Sequence, residues 1–317
     1  MEQEPISVSI LPGLYLINAG VKHPSRPLDG GEIIGYDFFS KTRTLVRHQN
    51  IPDGIVFSRA RSRLFWTNMG KPGERDGSIT SCNTDGSDLK VIIPKGVVHT
   101  PKQITIDDPN GQLYFADREG MKIMRCDLDG LSVETLVQTG DCTDFEYIQD
   151  ASRWCVGIAV SSRTNWIFWS QKGHSRGGTG QIFGLNLQEP RQPISLLHHL
   201  PEPIDLCLDD EADILYWTDR GELPFGNSLN KISVASLSSF SKPTSQYHIV
   251  CRNFHDPIGL VLDTSRSSMY VTDLGGTLYQ CDLITGDKTV LFVDENCAFT
   301  GITGSRGRSI SKGRAKL

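Results

Sequence analysis

The chain has 317 residues, with 32 Lys and Arg against 37 Asp and Glu, a formal net charge of -5. That is long for one ordinary domain and short for two at ~150 residues each, and it is enough for a core that needs no disulfide or metal staples. A 38% hydrophobic and 22% charged content excludes a disordered chain, the mild acidity removes the electrostatic footprint of a nucleic-acid binder, and 31 Gly with 16 Pro favour many short strands over long helices.

The chain opens on acid, Met1-Glu2-Gln3-Glu4-Pro5, where a secretory signal has a basic start and an apolar stretch. A short apolar-aromatic strand closed by Asp, Asn or Gln then recurs. It reads Leu14-Tyr15-Leu16-Ile17-Asn18, Leu64-Phe65-Trp66-Thr67-Asn68 and Leu113-Tyr114-Phe115-Ala116-Asp117. It continues as Ile167-Phe168-Trp169-Ser170-Gln171, Leu215-Tyr216-Trp217-Thr218-Asp219 and Met269-Tyr270-Val271-Thr272-Asp273. The closing positions 18, 68, 117, 171, 219 and 273 lie 48 to 54 residues apart, the period of a six-unit repeat with about four strands per unit.

Two flanking strands recur in phase. Ahead of five copies stands a strand opened by Pro or rich in Gly and Ile: Pro52-Asp53-Gly54-Ile55, Pro101-Lys102-Gln103-Ile104, Val156-Gly157-Ile158, Pro203-Ile204-Asp205-Leu206 and Pro257-Ile258-Gly259-Leu260. After each copy comes an apolar residue three positions before a core residue: Ile33/Tyr36, Ile79/Cys82, Ile123/Cys126, Ile182/Leu185, Ile232/Ala235 and Leu278/Cys281. Cys82, Cys126 and Cys281 therefore read as core fillers. The eight cysteines contain no Cys-x-x-Cys pair and are expected to be reduced thiols.

The first motif lacks an upstream strand, and Thr300-Gly301-Ile302 lies beyond the last motif. Joining the two closes the array into a ring without exposed sheet edges. The expected fold is all-β: a six-bladed β-propeller over residues 1–303, closed by the C-terminal strand, with a flexible basic tail over 304–317. That tail holds Arg306, Arg308, Lys312, Arg314 and Lys316 and no acid, so the remainder stands at -10. It ends Ala315-Lys316-Leu317, one substitution from a peroxisomal address; a working address and a chance ending both stay open. No apolar run reaches the ~18 residues of a membrane span, and an intracellular protein, cytoplasmic or peroxisomal, is expected.

Leu215-Tyr216-Trp217-Thr218-Asp219 carries the Tyr-Trp-Thr-Asp signature and resembles the class B repeats of low-density-lipoprotein receptors, with degenerate copies over roughly residues 10 to 303. The resemblance implies that Asp117, Asp219 and Asp273 brace the blades. A free-standing propeller of this kind is similar to fungal biosynthetic-cluster proteins, some of which accelerate intermolecular hetero-Diels–Alder coupling in tropolone sesquiterpenoid assembly. The resemblance thus implies small apolar polyketide or terpenoid substrates and no cofactor. Gluconolactonase-like propellers, which hold a divalent ion with Glu, Asn and Asp, are a third relative. Here Asp53 and Asp205, with Lys102 beside them, make a poor cage for a hard cation, and no metal is expected. A non-enzymatic binding module is the remaining alternative.

In a propeller the loops opening each inner strand and those following each second strand gather on one face. On that face the sequence places His99, Lys102, Arg118, Arg220 and His255 as chemical groups. Asp53, Gln103, Trp154, His174, Phe299 and Thr300 are placed as lining. No Ser-His-Asp order, nucleophile elbow, glycine-rich phosphate loop or His-Glu-x-x-His is present. A cycloaddition suits that inventory, since it needs orientation and donors to oxygen but no covalent nucleophile. His99 and His255 are the candidate acid and base, Lys102, Arg118 and Arg220 polarise oxygens, and Trp154 and Phe299 stack on an apolar partner. Arg118 and Arg220 follow motif acids at equivalent positions, so blade bracing is the competing reading for both.

Overall fold

The computed structural model describes residues 13–304, apart from positions 24, 27, 40–41, 189–191 and 236–245. The basic tail from 305 onward and Ala315-Lys316-Leu317 lie outside the described residues. Six four-stranded antiparallel sheets form, and in blades 2 to 6 the strands run in chain order from inner to outer. The inner strands of blades 2 to 6 are Pro52–Ser58, Pro101–Asp107, Cys155–Ser161, Pro203–Asp209 and Pro257–Leu262. Blade 1 takes its inner strand from the other end of the chain: Phe299–Gly304 pairs with Leu14–Asn18, setting Tyr15 opposite Thr303 and Leu16 opposite Ile302. The ring is thereby closed as expected. Among the described residues no helix is long and apolar enough to cross a membrane.

The repeated motif forms the second strand of every blade. It reads as an unbroken apolar run, without polar alternation, because blades pack against it on both sides. Trp66, Trp169 and Trp217 are all buried in these inter-blade layers, and Trp66 Nε1 donates to Gln49 Oε1 at 3.0 Å. The motif hydroxyl has a separate task. Each inner strand slips register against its motif strand near its start, for example between Pro52 and Ile55 and between Pro203 and Leu206. That bulge leaves a backbone N–H without a ladder partner. Thr67 Oγ1 accepts from Gly54 N (3.0 Å) and donates to Lys102 O of the next blade (2.6 Å). Ser170 does the same between Gly157 N and Ile204 O, and Thr218 between Asp205 N and Ile258 O. One hydroxyl thus repairs a bulge and ties two blades together.

Inner strands pass so close around the axis that small residues are required. A Cβ on Gly157 would lie 2.0 Å from Ile204 O, and one on Gly301 would lie 2.4 Å from Asp53 O. Cys82, Cys126 and Cys281 are fully buried, and all eight cysteines are free.

Two features depart from the sequence reading. In blade 5 the pair expected at Ile232/Ala235 is Leu229/Ile232, because Thr218 lies opposite Leu229 and Leu215 opposite Ile232. Leu229, Ile232 and Ala235 share one spacing, so the pattern fits twice and strand pairing chooses. The loop between blades 3 and 4 also winds into a short helix, Phe145–Gln149, and a 3-10 turn, Ala151–Arg153. Asp144 and Asp150 cap them by accepting from Glu146 N and Ser152 N.

Candidate functional site

The motif acids turn out to be loop clasps. Asp117 accepts from His99 N and Thr100 N, Asp219 from Glu202 N and Gly221 N, and Asp273 from His255 N and Thr277 N. Asn18 does the same work with Oδ1, accepting from Gly20 N and Ala298 N. Each clasp fixes the loop that opens its own blade's inner strand. Burial pushes the Asp117 carboxyl up, and that of Asp219 up to about 7.

Those loops and the starts of the inner strands form the upper mouth of the axis. The second inner-strand positions are Asp53, Lys102, Val156, Ile204, Ile258 and Thr300. Val156, Ile204 and Ile258 meet in one apolar cluster, so the charged half of the ring belongs to blades 2 and 3. Lys102 Nζ donates to Asp53 Oδ1 at 2.7 Å, Gln103 Nε2 donates to Asp53 Oδ2 at 3.1 Å, and Met69 Sδ lies 3.4 Å from the ammonium. Asp53 is fully buried. Burial pushes the Lys102 pKa down against the pull of Asp53, and the charges of Arg118 and Arg220 push the same way. The buried Asp205 carboxyl is held well above the ordinary carboxylate range by loss of water.

Above this ring sits a second cluster. Glu202, between Pro201 and Pro203, is fully buried, and its Oε1 accepts from Arg220 Nε (2.9 Å), Arg220 Nη2 (2.8 Å) and Lys172 Nζ (3.2 Å). Its Oε2 accepts from Ser175 Oγ and Arg176 N. Burial alone would raise its pKa, but the Arg220 hydrogen bonds and both cations hold it below the usual range. Arg118 pairs with Glu119. Trp154, delivered by the 3-10 turn, lies between the blades with the Arg118 guanidinium 5.2 Å and the Lys172 ammonium 5.5 Å from its ring centroid.

The structure therefore gathers Asp53, Lys102, Gln103, Arg118, Trp154 and Arg220 and adds Lys172, Glu119 and Glu202. Other expected residues lie elsewhere. Phe299 is fully buried in the core between blades 6 and 1, packed near Phe292 and Tyr270, and cannot stack on a ligand at the mouth. Thr300 is buried and spends its hydroxyl on Pro52 O. His174 and His255 are exposed on rim loops, while the half-buried His99 pairs Nδ1 with Thr100 Oγ1 at 2.9 Å. Arg118 and Arg220 do not brace motif acids: each pairs with a glutamate at the mouth.

Among the described residues no three His, Cys, Asp or Glu side chains converge as around a metal ion. Asp53 is engaged by Lys102 and Gln103, and Asp205 by the Leu206 and Leu260 amides. On the opposite face a cavity of about 570 Å³ opens between blades 1, 2 and 3, lined by Phe57, Arg59, Ala60, Asp108, Pro109 and Gly304. Asp108 stiffens its rim by accepting from Ser58 Oγ, Arg59 N and Ala60 N.

No family profile matches the chain. It is 42% identical over 309 residues to a 3-hydroxyacyl-CoA dehydrogenase-like protein of Cochliobolus heterostrophus, and the match covers 93% of this chain and 65% of that relative's length. It is 45% identical over 263 residues to a low-density lipoprotein receptor-related protein 1 of Pyricularia oryzae, covering 80% of this chain and 85% of that protein. Among solved structures, a chain of a nidogen–laminin complex superposes with a TM-score of 0.69 at 16% identity, covering 92% of this chain and 98% of that one. At that identity the likeness concerns the fold alone.

Proposed function

Because this chain belongs to the propeller family of low-density-lipoprotein-receptor-related proteins, represented by the Pyricularia protein, we propose a function for a scaffold that does not dictate one. The reading is a metal-independent cyclase of secondary metabolism, coupling a quinone-methide-type heterodiene to a terpene alkene by an intermolecular hetero-Diels–Alder reaction at the upper mouth. The observation that carries it is the set of donors Lys102, Lys172, Arg118 and Arg220 gathered with the Trp154 ring at the upper mouth.

Such a coupling redistributes six π electrons into two new σ bonds and one new π bond, so no proton or covalent intermediate is needed in that step. Holding both partners in a near-attack pose contributes up to ~7–11 kcal/mol. A cation aimed at the heterodiene carbonyl stabilises the negative charge that grows on its oxygen. His99, coupled to Thr100, is the group available to move a proton if the heterodiene forms by loss of water. The name of the Cochliobolus relative speaks of a dehydrogenase. These 317 residues contain no Gly-x-Gly-x-x-Gly turn to cradle a dinucleotide.

The test is direct. The purified chain, incubated with an ortho-quinone methide precursor and a cyclic terpene alkene, is expected to raise coupling yield and bias the isomer ratio. Lys102→Met is expected to cut the rate about a hundredfold, the loss of one preorganised donor. Equal yields and equal isomer ratios with and without protein refute the reading.

A further inference from the structure

The mouth holds more cation than its own carboxylates serve. Lys102 has Asp53 and Arg118 has Glu119, but Lys172 and Arg220 share the single Oε1 of Glu202. The motif acids Asp117 and Asp219 turn to backbone amides of their own loops. Four cations thus stand over three carboxylate partners, in a place where both Lys102 and Lys172 are held below the ordinary ammonium range by burial and by the two arginines.

A second observation falls on the same spot. Arg118 Nε and Trp154 Nε1 are buried donors with no hydrogen-bond acceptor among the described residues, as are the Trp169 and Trp217 Nε1 atoms of the core, and Glu119 Oε2 beside Arg118 is a buried acceptor without a donor. Buried donors are ordinarily paired, and leaving one unmade costs about 1–3 kcal/mol. Arg118 and Trp154 belong to one stack, with the Arg118 guanidinium over the Trp154 ring and Lys172 near the same ring. A charge without its own counter-ion, two donors without acceptors and a flat apolar surface describe one complement.

We infer that the mouth takes a ligand with an anionic oxygen, a carboxylate or delocalised oxyanion, on a flat apolar body seated beside Trp154 between Arg118 and Lys172. This rests on the upper mouth being the substrate site, and it names the substrate's class. The oxygen accepts from the Arg118 and Lys172 cations, while the body lies against the indole they flank. Arg118 and Lys172 are then binding residues, and Glu202 positions Lys172 and Arg220 without touching the ligand.

Calorimetric titration of the full chain with 2-naphthoate and with its neutral analogue 2-naphthamide tests this. The acid is expected to bind about tenfold more tightly than the amide, the scale of one charge-assisted contact in a partly desolvated site. Lys172→Gln and Arg118→Gln are each expected to weaken the acid about fivefold or more and the amide little. Equal affinity for acid and amide, or no binding of either, overturns the inference even if neither variant folds, since both titrations use the unaltered chain. Acid-selective binding by a protein that accelerates no coupling would remove the coupling reading and leave this one. Coupling by a protein that binds acid and amide alike would do the reverse.

Discussion

The ring of motif acids and the cluster around Glu202 lie within a few residues of each other and handle buried carboxylates in opposite ways. Asp219 gives its oxygens to the Glu202 and Gly221 amides, while Glu202 itself gives its Oε1 to two side-chain cations. The first arrangement recurs around the ring at positions 18, 117, 219 and 273 and asks only for an acceptor, which Asn18 supplies without charge. The second belongs to the joint of blades 4 and 5 and needs the charge. Acids that hold the scaffold repeat and face the backbone, whereas acids that build the mouth are single and face cations.

The largest expected effect follows from breaking the single arrangement. Glu202→Gln leaves the buried Lys172 and the half-buried Arg220 without a carboxylate, and removing one partner from a buried ionic group costs about 3–5 kcal/mol. Urea unfolding should show that loss as a shift in midpoint with an unchanged slope. A cost under about 1 kcal/mol, the scale of an exposed pair, would mean that Glu202 is no hub.

The repeated arrangement should be milder and more discriminating. Asp219→Ala strands several buried amides and is expected to cost about 2–3 kcal/mol, while Asp219→Asn keeps an acceptor, as Asn18 does, and should cost under about 1 kcal/mol. The pH dependence separates them further. Burial raises the Asp219 pKa in the fold from 3.8 to about 7, so the folded chain holds this proton more tightly than the unfolded one. Its contribution to stability is therefore fully present below 3.8, falls as pH rises toward about 7, and is flat above that. Stability of the unaltered chain minus that of Asp219→Asn, measured by urea unfolding from pH 4 to 8, should fall with that sign. A difference that does not change with pH would contradict it.

How far the sequence carried depends on which arrangement a residue serves. The repeat announced the six blades, the closing strand Thr300-Gly301-Ile302 and the buried thiols, because every copy faces the same packing problem, whereas Asp117, Asp219 and Asp273, expected from the resemblance to brace the blades, clasp the amides of their own blade's loops. At the mouth, Lys102 with Asp53 was legible, since a cation at an inner strand needs a partner. Glu202 was not. It meets Lys172 across 30 positions of chain with no repeated counterpart, and its one local signal is an acid set between two prolines. Phe299 misled for the opposite reason: its place at the start of an inner strand suits the mouth, but its ring turns into the joint of blades 6 and 1. Which side of a twisted strand a side chain takes is decided by the neighbouring blade.

A smaller loss than that of Asp219→Ala is expected at the motif hydroxyl. Thr218→Val keeps the shape but removes the oxygen that accepts from Asp205 N at 3.2 Å and donates to Ile258 O at 2.6 Å. Two buried backbone groups lose a partner, for about 1–2 kcal/mol. The ceiling is set by the molecule itself, because Ala116 and Ile17 occupy the same motif position without a hydroxyl and blades 3 and 1 still form. Thr67→Val and Ser170→Ala should cost similar amounts. Thr67 and Thr218 sit on different blades with no shared partner, so their double variant should lose the sum within ~0.5 kcal/mol, whereas Ser170 and Thr218 hold the oxygen and the N–H of the one Ile204–Asp205 peptide and are expected to couple. A Thr67→Val/Thr218→Val variant far less stable than that sum would show that the hydroxyls act together around the ring, and that the repeated scaffold is coupled as tightly as the mouth.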